Sequence, residues 1–435
     1  MRRSLPVALV ASALLGLAVQ GGSGGTLPIV APQEADDPVA ELKQKLQTGE
    51  VELAWDSAHG YLASTLEALD IPVSSQTLVF SRTSLQTDRI APWAPRAVYF
   101  SDDVYVAWVQ ESPTIEIASV DPDGDLRFYT LSQVDPERPV VSPKSTTCLM
   151  CHESRSVTGG RPGLIVLSVV TDRLGYPIGN VHEGSTSDRT DHARRWGGWY
   201  VTGTHGDMPH AGNARSDLLS HEVTDGAAYT ASFDFGGTNV TDLSDYFFTE
   251  AYPTPHSDIV ALTVLTHQVN VHNLIGLVRS ETDEALELEG FRIRSGRDTP
   301  DDPGGHLPYT VARIEGAVDR LFRAMVFADE EPLPAPVAGT SGFTEEFAGL
   351  GPTGSSGSSL RELDLETRLF RYRLSFLVHS DAFRALHELP RRLFAQRLMA
   401  ELDGDVPSHL EERERETILE ILEEIEPELV ALGRR

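Results

Sequence analysis

The pattern of hydrophobic and polar positions divides the chain into a β-rich part and a helical part. After a mostly helical segment over residues 37–69, short runs of β-branched and aromatic residues alternate with turn signals. These runs predict strands over 97–100, 104–108, 115–120 and 126–131, with a further strand over 163–170. We interpret them as an antiparallel sheet.

The second half of the chain has the pattern of helices. Residues 255–279 are apolar on nearly every side, which predicts one buried helix with Thr254 as N-cap and Pro255 at its first position. Residues 332–359 are dense in Pro, Gly and Ser and predict a linker or mobile loop. The remainder is predicted to be largely helical, with Ser408 and Glu411 as the capping box of its last helix.

The N-terminus has the pattern of an export signal. A positive start precedes an apolar run over residues 5–19, which is too short for a comfortable membrane span. We predict a signal peptide over 1–20 and a flexible leader over 21–37, and therefore export into a periplasm-like space with no membrane span after signal removal. An uncleaved signal anchor is the alternative.

Composition excludes several classes of protein. The chain has 435 residues, with 65 acidic and 36 basic side chains and a net charge of −29. Such a surface repels phosphate backbones, so nucleic acid is not expected as a partner. Apart from the glycine-rich stretch at residues 21–25, the chain carries no Gly-x-Ser-x-Gly, and it carries no Walker-type or His-Glu-x-x-His motif, which leaves a serine hydrolase, a nucleotide binder and a zinc protease without support.

The only two cysteines of the chain lie in one short motif, Cys148-x-x-Cys151-His152. This is the attachment signature of haem c: each thiol adds to a vinyl group and the adjacent imidazole reaches the iron as proximal ligand. A redox dithiol would be expected at a helix start in a βαβ context, and a structural zinc site needs four ligands. A disulfide would close a loop too short to stabilise much. We predict covalently bound haem, which fits the predicted export.

The sixth iron ligand is sought among the remaining histidines and methionines. We favour His205, which lies in a glycine-containing loop, with His210, Met208 and His267 as rivals in that order. For each histidine the alternative is a solvated or hydrogen-bonded structural role.

The segment before this loop is rich in arginine and tryptophan. Arg194 and Arg195 are candidates for holding the haem propionates, and Trp196 is a candidate for the apolar wall of the haem site. The alternative is that these aromatic residues cover the sheet.

Several blocks of the sequence, taken together, resemble those of a known family. They are residues 69–75, 78–81, 95–100, 103–106, the haem motif and 195–206. In this combination the chain resembles a poorly characterised family of exported bacterial proteins with a single c-type haem motif. The resemblance implies haem binding through Cys148, Cys151 and His152 outside the cytoplasm, with an electron-transfer role. The mid-chain motif departs from small all-helical cytochromes c.

These observations predict an α+β fold, in which a β-rich core carries the haem segment and a buried helix and is followed by a helical C-terminal region. The predicted divisions are 1–20, 21–37, a haem-binding domain over 38–331, a linker over 332–359 and a helical region over 360–435. Electron transfer to a redox partner protein is the expected function. The alternatives are an oxidase or peroxidase, with acid/base groups such as His205, His210 or Asp207, and a haem-based sensor.

Overall fold

A seven-stranded antiparallel sheet forms the centre of the computed structural model. The structure describes residues 37–144, 146–153, 158, 160–178, 184–214, 217–225, 238–300 and 305–435. The predicted signal peptide and all but the last residue of the predicted leader lie outside these residues.

The strands predicted over residues 97–131 are confirmed to within one residue at each end. The strand order in the sheet is β6-β5-β4-β3-β2-β1-β9. The strands are β1 Thr77–Val79, β2 Arg96–Phe100, β3 Val104–Trp108, β4 Thr114–Val120, β5 Leu126–Ser132, β6 Val140–Pro143, β7 Leu167–Ser168, β8 Gly184–Ser185 and β9 Trp199–Tyr200. The strand predicted over 163–170 is reduced to β7, which pairs only with β8.

The helices include one that is much longer than the others. They are α1 Pro38–Thr48, α2 Leu62–Ala68, α3 Thr146–His152, α4 Ile259–Arg294, α5 Pro308–Met325, α6 Phe343–Gly349, α7 Asp381–Arg384, α8 Glu388–Leu402, α9 Glu412–Ile425 and α10 Pro427–Gly433. Within the described part of the chain, none of them is long and apolar enough to cross a membrane.

Both faces of the sheet are buried, each by a different set of elements. Because side chains alternate along a strand, Leu78, Tyr99 and Val106 point to one face, in a core that includes Val39 of α1 and Leu62 of α2. The other face carries Phe100, Tyr105 and Phe128 together with small residues such as Ala118, and it packs in a core with α4 and the C-terminal helices. The sheet is therefore a shared wall between two apolar cores.

The long helix α4 begins later than the sequence predicted. Asp258, and not Thr254, is its N-cap, and the Asp258 carboxylate accepts hydrogen bonds from the backbone N–H groups of Val260 and Ala261 at 2.8 and 3.1 Å. The predicted cap failed because the Thr254 carbonyl is used elsewhere, as acceptor for the Gln76 side chain.

Residues 332–359, predicted as a linker or mobile loop, contain α6 and pack against the rest of the protein. Phe343 and Phe347 of α6 lie in the core with α4, and Ala338 forms a β-bridge with Thr204. All described residues from 37 onward belong to one compact unit.

The C-terminal region is helical from residue 381 onward, and the α+β fold predicted from the sequence is confirmed. Its predicted capping box is wrong: α9 begins after Glu411, without a side-chain cap. The Ser408 hydroxyl instead donates to Glu401 at 2.6 Å, because the turn after α8 brings these two side chains together.

The first prediction concerns Asp258, whose second carboxylate oxygen also accepts the backbone N–H groups of Thr340 and Ser341 at 2.6 and 2.9 Å. Asp258→Ala leaves these donors buried without partners, and we expect the free energy of unfolding to fall by about 2 kcal/mol or more. Urea unfolding followed by circular dichroism measures this. Asp191→Ala removes a cap with one exposed hydrogen bond and serves as control. Equal losses in both variants would contradict the assignment.

Candidate functional site

The cysteine motif forms the short helix α3, directly after the edge strand β6. Both cysteines are free thiols; Cys151 is exposed and Cys148 is partly buried. Burial raises the pKa of the Cys148 thiol, and the nearby Glu116 carboxylate adds to this effect. Along this helix Cys151 is thus exposed, whereas Cys148 and the last residue, His152, are partly buried.

The His152 imidazole is oriented by a backbone carbonyl. Its Nδ1 hydrogen-bonds to the Gly163 carbonyl at 2.8 Å, and the Gly163 N–H returns a bond to the His152 carbonyl at 2.8 Å. The ring lies 4.8 Å from that of Phe128 on β5. Burial lowers the pKa of His152, which favours the neutral form. A neutral imidazole with Nδ1–H bound to a carbonyl presents Nε2 as a metal ligand.

The loop that holds His152 is itself fixed to helix α4. The Asn273 side chain accepts from the Leu164 N–H at 3.0 Å and donates to the Leu164 carbonyl at 2.8 Å. A Cβ atom at Gly163 would lie 2.8 Å from the Asn273 Oδ1, so the loop requires glycine there. In the sequence, Asn273 stands out as a polar residue within an otherwise apolar helix, whereas the sequence offers no signal for Gly163.

The two cysteines and His152 open onto a cavity of about 420 Å³ between the sheet and α4. The strand register places a set of apolar side chains on one face of the sheet, along the cavity floor. These are Val79 on β1, Val98 on β2, Ala107 on β3, Ala118 on β4 and Phe128 on β5, of which Val98 and Ala107 are register partners, as are Ala118 and Phe128. Leu265 and Val269 of α4 and residues 164–167 complete the apolar lining.

Trp199 closes the cavity on the side of strand β9. Its backbone pairs with Val79, and its indole N–H donates to the Leu167 carbonyl at 2.8 Å. The preceding Gly198 has φ +82°, and a Cβ atom there would lie 2.7 Å from the Ser81 Cβ. Glycine is therefore required for strand β9 to approach β1 and present Trp199 to the cavity.

Charged side chains line the same cavity. Arg96 on β2 reaches across the small Ala107 to Glu116 on β4, and their side chains form an ion pair at 3.0 Å. The hydroxyl of the buried Tyr105 is held by His272 Nδ1 at 2.8 Å, and burial raises the Tyr105 pKa well above its usual value.

The residues at this cavity fit a haem covalently attached through the motif. A volume of about 420 Å³ lies within the range of roughly 300–1,000 Å³ usual for ligand sites. The donor set comprises two free thiols and one neutral imidazole. The Arg96 Nε atom is buried in the cavity wall without a hydrogen-bond partner, as expected of a site that receives a polar group. Cys148 and Cys151 would hold the macrocycle and His152 its iron.

The predicted distal residues do not share this cavity. His205 and His210 are buried elsewhere, with their Nε2 atoms 3.2 Å apart, and His205 Nε2 hydrogen-bonds to the Thr238 carbonyl at 3.1 Å. Burial lowers the pKa of His210 to about 3, and His205 adds to the effect. Met208 lines a separate cavity of only about 10 Å³. His205, His210 and Met208 are therefore not among the described residues that line the cavity next to the motif.

The predicted propionate and wall residues are also not at the cavity. The buried Arg195 donates to the carbonyls of Thr190 and Asp188 at 2.7 and 2.8 Å, whereas Arg194 is exposed. Trp196 packs 5.7 Å from the His210 ring, on the side of the small cavity. Arg96 and Trp199 line the cavity instead. The amino-acid pattern alone could not distinguish them from Arg194, Arg195 and Trp196, because it carries no information on strand register.

His267 belongs to a buried polar network of helix α4. Its Nδ1 lies 2.9 Å from the Asp188 carboxylate and its Nε2 lies 2.8 Å from the Ser375 hydroxyl. This order of contacts is that of a Ser-His-Asp triad. However, Ser375 is fully buried and the Phe327 ring stacks on the imidazole at 4.4 Å, which leaves no approach for a substrate. His267 is a hydrogen-bonded core histidine, the alternative that the sequence left open.

Comparison of the chain with protein families, curated proteins and solved structures finds no match. The site is therefore interpreted from its own geometry.

The second prediction concerns the two hydrogen bonds by which the Asn273 side chain holds the backbone of Leu164 in the loop next to His152. Asn273→Leu leaves the Leu164 N–H and carbonyl without partners, so we expect the free energy of unfolding to fall by about 1–3 kcal/mol. Asn270→Leu is the matched control, because Asn270 lies on the same helix and its side chain makes no hydrogen bond to the described residues. Chemical denaturation measures both. If Asn273→Leu lowers the free energy of unfolding no more than the control does, these two hydrogen bonds contribute nothing to stability.

Proposed function

We propose that this protein is an exported c-type haem protein that transfers electrons through one covalently bound haem c. The observation that carries the proposal is the apolar cavity between the sheet and α4, onto which Cys148, Cys151 and the oriented His152 imidazole all open. When bound, haem supplies a one-electron couple and an iron coordination site. The familiar sequence blocks and the N-terminal export pattern support the same reading.

The surroundings of the thiols support electron exchange with a redox partner protein. Met150 and Leu85, which both line the cavity, are 79% and 59% exposed. A macrocycle attached to Cys148 and Cys151 would therefore have an edge near the surface, where a partner can approach. The net charge of −29 favours a partner with a basic surface.

The third prediction tests covalent attachment. After expression with a c-type maturation system, denaturation and extraction with acidified solvent, we expect haem to remain on the polypeptide. A Cys148→Ser, Cys151→Ser double variant should lose it, because no other thiol is available. Met150→Ala, an exposed substitution inside the motif, is the control and should retain haem. Complete transfer of the colour from the wild-type protein into the solvent would refute the proposal.

A second candidate function is that of a ligand-binding haem enzyme or sensor. Among the described residues that line the cavity, His152 is the only histidine, and Met150 lies within the motif itself. These residues provide no obvious sixth ligand, and an open position is what an oxidase, peroxidase or sensor needs.

The fourth prediction separates the two candidates. For the electron relay that we propose, we expect a reduced protein that does not bind carbon monoxide. We expect His205→Ala to leave the absorption spectrum unchanged, because His205 does not line the cavity. Carbon monoxide binding favours the second candidate. A six-coordinate, low-spin spectrum in both oxidation states, insensitive to carbon monoxide, favours the electron relay and requires a ligand from outside the described residues. A changed spectrum in His205→Ala would contradict the placement of this loop.

A further inference from the structure

Most hydroxyls and charges in the cavity wall already have partners. The Tyr105 hydroxyl is held by His272 at 2.8 Å, and the Tyr129 hydroxyl donates to Asp37 on the opposite face of the sheet. The Arg96 and Glu116 side chains form an ion pair at 3.0 Å and are 23% and 16% exposed. This pair is the charged part of the cavity wall.

One atom of this pair has no partner. The ion pair uses Arg96 Nη2, whereas Arg96 Nε is buried and donates to no group among the residues that the structure describes. A buried N–H without an acceptor costs free energy, and a guanidinium presents its N–H groups in a fixed plane suited to anionic oxygen atoms. Arg96 can reach Glu116 because Ala107, on the intervening strand β3, is small. The Arg96 side chain can therefore cross the roughly 10 Å between β2 and β4.

We propose that Arg96 is the anion-binding residue of this cavity, with Nε–H as the donor to an anionic group of the haem or of a ligand on its iron. Glu116 holds the guanidinium in place and limits its attraction for anions. This inference rests on the proposed haem function. The anion has two possible sources, a propionate of the macrocycle and a small anion taken up from solution.

The experiment uses the full-length haem-loaded protein and four variants. Arg96→Gln removes the charge and the donor, Arg96→Lys keeps the charge without Nε, and Glu116→Gln removes the opposing charge. Arg127→Gln is the matched control: Arg127 also lies on the sheet and pairs with a carboxylate, Asp121, but it does not line the cavity. The two measurements are the dissociation constant for cyanide of the oxidised protein and the midpoint potential of the haem.

If the anion is a small ligand, Arg96→Gln weakens cyanide binding about tenfold or more, because a charge-assisted hydrogen bond is lost. Arg96→Lys has an intermediate effect, and Glu116→Gln strengthens binding. If the anion is a propionate, cyanide binding is unchanged, but the midpoint potential falls in Arg96→Gln and rises in Glu116→Gln, each by more than in the control. If the wild-type protein does not bind cyanide, the midpoint potential alone tests the proposal.

The proposal is overturned if Arg96→Gln and Arg127→Gln give the same cyanide affinity and the same midpoint potential. Should Arg96→Gln fail to fold, Glu116→Gln keeps the proposal testable, because it must either strengthen cyanide binding or raise the midpoint potential. A Glu116→Gln protein that does neither would overturn the proposal. Failure of the underlying haem function is distinguished by the solvent extraction of the wild-type protein, which does not involve Arg96.

Discussion

The structure depends on the need to bury both faces of one antiparallel sheet. Interiors are packed about as densely as organic crystals, so a face left open must be covered by other elements. Helices α1 and α2 contribute to the core on one face, which carries large side chains such as Tyr99 and Trp108. The face toward α4 carries Val98, Ala107 and Ala118 instead, and these small residues leave room between sheet and helix.

This difference between the two faces connects the fold to the chemistry. Helix α4 covers the sheet and also holds, through Asn273, the loop whose carbonyl orients the His152 imidazole. The same helix supplies His272, which fixes the Tyr105 hydroxyl in the cavity wall. One buried helix thereby positions the His152 imidazole and shapes the cavity in front of it. Its polar residues hydrogen-bond to the sheet and to the loops.

The chain also contains polar clusters that have the appearance of functional sites without the access that function requires. Asp188, His267 and Ser375 have the contacts of a hydrolytic triad, yet the serine is fully buried. His205 and His210 face one another at 3.2 Å away from the motif. In each case the hydrogen bonds join groups that the core encloses. Geometry within a cluster is therefore insufficient without a cavity next to it.

The sequence by itself determined the features that rest on local pattern. The strands β2 to β5 and the α+β class follow from alternation, and the role of Cys148, Cys151 and His152 is proposed from three residues at a fixed spacing. Only the tertiary structure decided what surrounds them. Arg96 and Trp199 reach the cavity because strand register brings them there. His205 and Thr254 instead hydrogen-bond to residues far away in the sequence, and Arg195 hydrogen-bonds within its own loop. Spacing along a chain fixes local contacts, but contacts across a sheet depend on which strands pair and on which face a side chain emerges.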